Sequence, residues 1–165
     1  VDRLAGLVCY TVTNMKEARS LAPAFSTAVR VRYADTDCEG VVYYGSYLTY
    51  FEVARVELLR ALGVPIGEVR RRGLVMPAID ARCCYHRPGR VDDLLEVRVW
   101  LGERHRATFG FDYEIWRADE LVASGNTRHL CVEVEGWRAV RPPAWFDELW
   151  ERAAAGHAIS DSSIS

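Results

Sequence analysis

The sequence predicts an α+β domain: an antiparallel sheet of about five strands wrapped around one long central helix. Three observations carry that reading. Five stretches alternate apolar and polar residues with a period of two, the mark of strands with one buried face. Short polar connections join these stretches in pairs, as antiparallel neighbours require. The 17-residue stretch Ser46 to Leu62 instead spreads its apolar residues over half a helical circumference. Length agrees, because 165 residues suit one domain, a size that buries roughly 70% of the surface its unfolded form exposes.

Residues 1–24 are expected to form an extension ahead of the domain. Leu4 to Val12 is mostly apolar, yet no clean positive start or small-residue cleavage site accompanies it, and Val8 before Cys9 does not suit a lipoprotein site. Val29, Val31 and Tyr33 alternate with Arg30 and Arg32 and give the first strand. Ser46–Leu62 follows as the helix, free of Gly and Pro and stopped by Gly63. Tyr47, Leu48, Tyr50, Phe51, Ala54 and Leu58 lie on its apolar half, with Leu59, Ala61 and Leu62. An arc this wide belongs inside a core, and only Arg55 interrupts it.

Pro65 to Arg72 fits a short helix, its last turn carrying Arg70, Arg71 and Arg72 where the helix dipole favours them. Val75, Ile79, Ala81, Cys83 and Tyr85 share one parity up to Pro88-Gly89. Leu95, Val97, Val99 and Leu101 form the next alternation, then Phe109, Phe111, Tyr113 and Ile115. Leu130, Val132 and Val134 form the fifth, ending before Gly136. Pro143 to Ala155 is a terminal helix with Trp145, Phe146, Leu149 and Trp150 on one side. Residues 156–165 are small and polar and are expected to be a disordered tail, which leaves 25–155 as the domain.

Composition excludes several classes. Half of the residues are hydrophobic, and 21 basic against 23 acidic side chains leave a formal charge of −2. That combination excludes a disordered chain and offers no electrostatic footprint for nucleic acid or an anionic membrane surface. No apolar run reaches the roughly 20 residues of a membrane span. The five cysteines show no C-x-x-C spacing and the four histidines no metal-cage spacing. Reduced thiols in a cytoplasmic protein without a structural metal are expected.

Chemistry concentrates between Tyr33 and Tyr47, which reads Y-A-D-T-D-C-E-G-V-V-Y-Y-G-S-Y. A strand end runs into an acidic loop with Gly40 and then into the helix start. Free amides at a helix start attract developing negative charge. A carboxylate held opposite them suits carbonyl chemistry: the amides polarise the carbonyl, while the carboxylate attacks it or activates a water. One well-aimed donor is worth about 3 kcal/mol in the transition state. Spacing alone makes this a weak signal, because acidic loops before helices are common capping features.

The residue pattern is more specific. Val31-Arg32-Tyr33-Ala34-Asp35-Thr36-Asp37, Gly40-Val41-Val42-Tyr43, Tyr47 and Phe51-Glu52-x-Ala54-Arg55-x-Glu57 together resemble the signature of the 4-hydroxybenzoyl-CoA thioesterase family. This is the acyl-CoA thioesterase branch of the hot-dog fold, which includes enzymes associated with the Tol-Pal system. The segment Tyr85 to Val97 resembles the family's next motif, with Asp92 where the family often has glycine. The resemblance covers residues 25–150 and leaves the N-terminal extension aside.

The resemblance implies a sheet wrapped around one helix, and a homodimer whose sheets join edge to edge with active sites at the subunit boundary; homotetramers are frequent. It implies hydrolysis of an acyl- or aroyl-CoA, or of an acyl carrier protein thioester, to the free acid, with water as co-substrate and no cofactor. Carried over residue by residue, Asp37 is the catalytic carboxylate, as nucleophile or as general base. The backbone amide of Tyr44 holds the thioester oxygen, at a position many relatives fill with histidine. Gly40, Val41 and Gly45 fall among the substrate-binding positions of this loop. Arg104, His105 and Arg106 lie in a turn where the family often binds coenzyme A phosphates, and arginine's paired donors suit phosphate oxygens.

Neighbouring residues receive structural readings: Asp35 as a loop acceptor, Tyr43 and Tyr47 as core aromatics, Arg55 as a paired charge at the dimer interface or the helix underside. No motif ties a histidine to Cys38, so it is not read as a nucleophile. Two other functions stand beside hydrolysis. A hot-dog hydratase or dehydratase would want a histidine where Tyr44 stands. A non-catalytic acyl-CoA-binding module would have lost the acid that Asp37 supplies.

Overall fold

The computed structural model describes residues 22–155, so the readings made for residues 1–21 and 156–165 lie outside the described residues. The elements run β1 (Phe25–Arg30), α1 (Ser46–Ala61), α2 (Ile66–Arg71), β2 (Leu74–Val75), β3 (Ala78–Tyr85), β4 (Leu94–Arg104), β5 (Thr108–Arg117), β6 (Glu120–Leu130), β7 (Val132–Glu133) and α3 (Ala144–Ala154). A single 3-10 turn, Tyr33–Asp35, follows β1. Five strands pair antiparallel in the order β1-β4-β5-β6-β3, and β2 pairs with β7 in a separate two-stranded piece. The class is α+β with a five-stranded antiparallel sheet.

The alternation read in β4 and β5 is what builds the core. Val97 pairs with Ile115, Val99 with Tyr113 and Leu101 with Phe111, so rows of apolar side chains run across the sheet on one face. The 16 residues of α1 lie against that face and touch β4 and both edge strands, β1 and β3. The helix thus spans the width of the sheet from β1 to β3. The Phe51 ring stacks on Tyr113 at 4.4 Å. Gly125, paired with Tyr113, makes that possible: a Cβ there would meet the Arg82 carbonyl oxygen at 2.1 Å and the Phe51 ring at 2.7 Å. The shorter α2 and α3 accompany α1, and Trp150 of α3 closes on Phe109 and Phe111.

Three strand assignments change. The first strand ends at Arg30, and Tyr33, read as its buried end, is 85% exposed. The cause is Asp35, whose carboxylate accepts the Arg32 amide at 3.0 Å and its guanidinium at 2.6 Å and bends the chain into a turn. The fifth sheet strand is β6, which starts ten residues before the predicted stretch Leu130–Val134; of that stretch, Leu130 ends β6 and Val132 belongs to the two-residue β7. Its core-side residues Ala123, Gly125, Thr127 and His129 are small or polar and hide the alternation. In β3 the parity of Ala81, Cys83 and Tyr85 survives, but a bulge between Ala78 and Asp80 takes Ile79 out of that row, and the strand is a sheet edge and most of it is exposed; Val75 belongs to β2. Among the described residues no helix is long and apolar enough to cross a membrane.

Candidate active site

The loop from β1 to α1 folds back on itself. Asp37 N–H donates to the Val41 carbonyl at 2.9 Å, Tyr43 N–H to the Asp35 carbonyl at 2.8 Å, and Thr36 and Val42 bridge antiparallel between them. Gly40 makes the reversal at φ +73°, a conformation glycine adopts without a steric cost. The result is a miniature hairpin that returns the chain to the start of α1 with Asp37 near its tip. Asp37 is half-buried, and its Oδ1 accepts the Glu39 amide at 2.9 Å, which fixes the carboxylate on the loop.

Asp35 is the loop acceptor it was expected to be. It is buried, the Arg32 guanidinium holds its carboxyl below the usual carboxylate range, and its carbonyl takes the Ser46 hydroxyl at 3.1 Å as well as the Tyr43 amide. Those bonds set where α1 begins. Ser46 N–H then donates to Tyr43 and Leu48 N–H to Gly45, while the amides of Tyr44 and Gly45 have no acceptor among the described residues. Two free donors thus stand at the positive end of a 16-residue helix, seven and eight positions along the chain from Asp37.

The aromatic residues divide. Tyr47 is buried, as expected, and its hydroxyl oxygen accepts the Gly89 amide at 3.1 Å while the Gly89 carbonyl takes the Val42 amide at 2.9 Å. The segment after β3 therefore backs the hairpin. Tyr43 is not a core aromatic: it is 44% exposed and leans on Tyr44, itself 64% exposed, with ring centroids 4.3 Å apart. Strand alternation in the hairpin explains this, since Val42 takes the inward position. Tyr85, read from sequence only as part of a strand and a motif, donates its hydroxyl to the Tyr44 carbonyl at 3.0 Å. Its place at the end of the β3 parity row was the available signal.

Arg55 lies under α1, and its partner is a neutral ring rather than a carboxylate. Its guanidinium donates to His129 Nε2 at 2.7 Å. The Met76 carbonyl, 3.1 Å from Nδ1, can only accept, which assigns the ring proton to Nδ1. Burial, with the Arg55 charge adding to it, pushes this imidazole down to about 4. Thiol chemistry at Cys83 is disfavoured, because burial pushes it up to about 11 and it stays protonated; Cys38, beside Asp37, is exposed, and among the described residues no histidine is bonded to it. Among the described residues no group of three His, Cys, Asp or Glu could hold a metal.

The structure thus brings Asp37, Gly40, Val41, Tyr44 and Gly45 into one loop. Arg104, His105 and Arg106 it places elsewhere. They line a cavity of about 460 Å³ with Arg141, Pro142, Asp147 and Glu151, in which Arg104 pairs with Asp147. Val31 N–H bonds the Asp93 carbonyl at the start of β4, and Arg104 ends that strand, a run of about 33 Å at the usual rise per residue. Within one protomer the basic cleft and the hairpin occupy opposite ends of the sheet.

Known proteins resemble this chain over most of its length. Residues 31–149 match the model of the thioesterase-like superfamily. An acyl-CoA thioesterase of Haemophilus influenzae, YbgC, is 33% identical over 122 residues, covering 72% of this chain and 88% of that protein. A 1,4-dihydroxy-2-naphthoyl-CoA hydrolase of Synechococcus elongatus is 31% identical over 105 residues, covering 62% and 77%. Among solved structures, a hypothetical protein from Aquifex aeolicus superposes with a TM-score of 0.73 at 36% identity, over 76% of this chain and 98% of that one. A DHNA-CoA thioesterase from Staphylococcus aureus superposes with a TM-score of 0.71 at 29% identity, over 79% and 87%. The match is to the superfamily, broader than the 4-hydroxybenzoyl-CoA branch whose signature the loop resembles. With a five-stranded antiparallel sheet, a helix laid on it and the Asp37 hairpin at the helix start, the chain belongs to the thioesterase-like superfamily.

Proposed function

We propose that the protein hydrolyses an acyl- or aroyl-CoA thioester to the free acid and coenzyme A. The observation that carries this reading is the hairpin itself, which holds the half-buried Asp37 carboxylate on the same short loop as the unpartnered amides of Tyr44 and Gly45. The thioester oxygen would be received by those amides, where negative charge develops as the carbonyl carbon becomes tetrahedral. Asp37 then acts in one of two ways. As general base it takes a proton from water, whose oxygen bonds the carbonyl carbon; as nucleophile it forms an anhydride that water opens. Either way the carbon–sulfur bond breaks, and the thiolate leaves and is protonated to free coenzyme A. Water is the only co-substrate, and no cofactor is required.

Gly40, Val41 and Gly45 would line the entry to this loop. The cleft of Arg104, His105 and Arg106 fits coenzyme A phosphates, but its position requires a second copy of the chain. An antiparallel pairing of two β3 edges turns one protomer end for end and brings its basic cleft to the end of the sheet that carries the other's Asp37. We read the protein as a homodimer or homotetramer on that ground, and as cytoplasmic on its cysteine usage.

The test is thiol release from acetyl-, hexanoyl-, palmitoyl-, benzoyl- and 4-hydroxybenzoyl-CoA by wild type and Asp37→Asn. Release by wild type, with a loss of at least about 100-fold in the variant, is the expected result. Equal turnover by the two proteins removes Asp37 from the mechanism. Binding without release, including from acyl carrier protein thioesters, moves the non-catalytic reading ahead.

A further inference from the structure

Tyr85 ends β3, and its hydroxyl reaches across 41 residues of sequence to the Tyr44 carbonyl at 3.0 Å. That carbonyl stands outside the helix ladder. Leu48 N–H, the amide placed to reach it, donates to the Gly45 oxygen instead, so among the described residues Tyr85 is its donor. A carbonyl and the N–H that follows it share one rigid plane, and holding the Tyr44 oxygen therefore fixes the direction of the Gly45 N–H. The Tyr43 ring lies over Gly45, close enough that a Cβ there would meet it at 2.9 Å. The Tyr85 ring is braced in turn, 5.3 Å from Tyr47, whose hydroxyl is tied to Gly89. Partial desolvation, with Cys83 and the Tyr47 and Tyr44 phenols adding to it, pushes the half-exposed Tyr85 phenol up to about 12, which keeps it a donor throughout the working pH range.

We propose that Tyr85 is a positioning residue, whose hydroxyl locks the Tyr44–Gly45 peptide so that the free Gly45 amide at the start of α1 is aimed before a thioester arrives. This rests on the hydrolase reading, in which that amide, with the Tyr44 amide beside it, receives the charge that develops on the thioester oxygen. Donors fixed in advance cost no reorganisation at the moment of reaction. A freed peptide plane must be re-aimed in every turnover, and that loss falls on the transition state rather than on ground-state binding.

Tyr85→Phe removes the hydroxyl and keeps the ring. With the acyl-CoA that wild type turns over fastest, kcat is expected to fall about tenfold while KM stays within about twofold. A second measurement does not depend on turnover: the backbone order parameter of the Gly45 N–H, about 0.85 when rigid, falls below about 0.7 in Tyr85→Phe, while β4 and β5 are unchanged. Tyr85→Leu, which loses the ring as well, should fall no further in kcat than a few-fold beyond Tyr85→Phe. Wild-type kcat in Tyr85→Phe, a raised KM at unchanged kcat, or an unchanged Gly45 order parameter overturns the lock while leaving an active wild type as a hydrolase. A wild type inert on every acyl-CoA sinks the hydrolase reading and the catalytic meaning of the lock with it, and the order parameters then report whether the anchor exists at all.

Discussion

Asp92 sits at φ +67°, in the left-handed region, at the position where the resembling family often carries glycine. Its amide donates to the Val31 carbonyl at 3.0 Å and its carbonyl accepts the Arg30 guanidinium at 2.8 Å, so neighbours hold it in a conformation that side chains resist. Asp92→Gly relieves the strain but loosens the unfolded chain, and the balance is a gain of about 0.5–1 kcal/mol, a rise of a few degrees in Tm by calorimetry. Asp35 is the opposite case, a residue whose side chain creates the local structure. Asp35→Ala strips the Arg32 amide and guanidinium of their acceptor and is expected to cost about 1–3 kcal/mol in urea unfolding. Since Arg32 holds the carboxyl below its unfolded range, that contribution is present above about pH 4 and is lost as pH falls through the folded value. Both residues were visible in the sequence as parts of motifs; the conformation of one and the partners of the other were not.

At the scale of elements, β6 is where the sequence misled. A buried strand ordinarily shows a row of large apolar side chains, but β6 offers Ala123, Gly125, Thr127 and His129 toward the core because Phe51 and Arg55 of α1 already fill the space. Gly125→Ala tests the close approach. The Arg82 carbonyl that a Cβ would strike is backbone and cannot swing away, so the variant is expected to lose about 2–3 kcal/mol and to show a displaced Phe51. His129, 1% exposed and bonded to Arg55, gives β6 a pH signature. Unfolded, an imidazole titrates near 6.5; folded, this one titrates near 4. Between those values the unfolded chain takes up a proton that the folded one refuses. Stability is therefore full above about pH 6.5 and declines toward pH 4, by about 3 kcal/mol. Denaturant titrations across that range should show the decline in wild type and a flatter profile in His129→Gln.

For the whole molecule, the informative feature is the β3 edge, open among the described residues, a strand of eight residues with Ile79 and Tyr85 more than half exposed. An unpaired edge of this length invites a second strand. Sedimentation should therefore find a dimer or a multiple of it, and Ala81→Pro, which places a residue without an N–H on that edge, should shift the protein toward monomer. If the Proposed dimer also completes the active site with the second copy's basic cleft, monomerisation lowers affinity for acyl-CoA as well as oligomeric mass. A monomeric wild type with full activity excludes that arrangement.

By itself the sequence determined the α+β class, the bounds of α1, the alternation of β4 and β5 and the loop that carries Asp37. Each of these is written in local signals: a period of two or of 3.6, a Gly63 stop, a run of motif residues whose spacing is set by the chain. Tertiary structure alone decided the rest. It placed the fifth strand where small and polar residues face α1, turned Tyr43 outward, gave Arg55 a neutral histidine for a partner and joined Tyr85 to Tyr44. It also put Arg104, His105 and Arg106 at the far end of the sheet from Asp37. These are contacts between residues distant in sequence, and they depend on which volumes other elements have already filled, which no local pattern encodes.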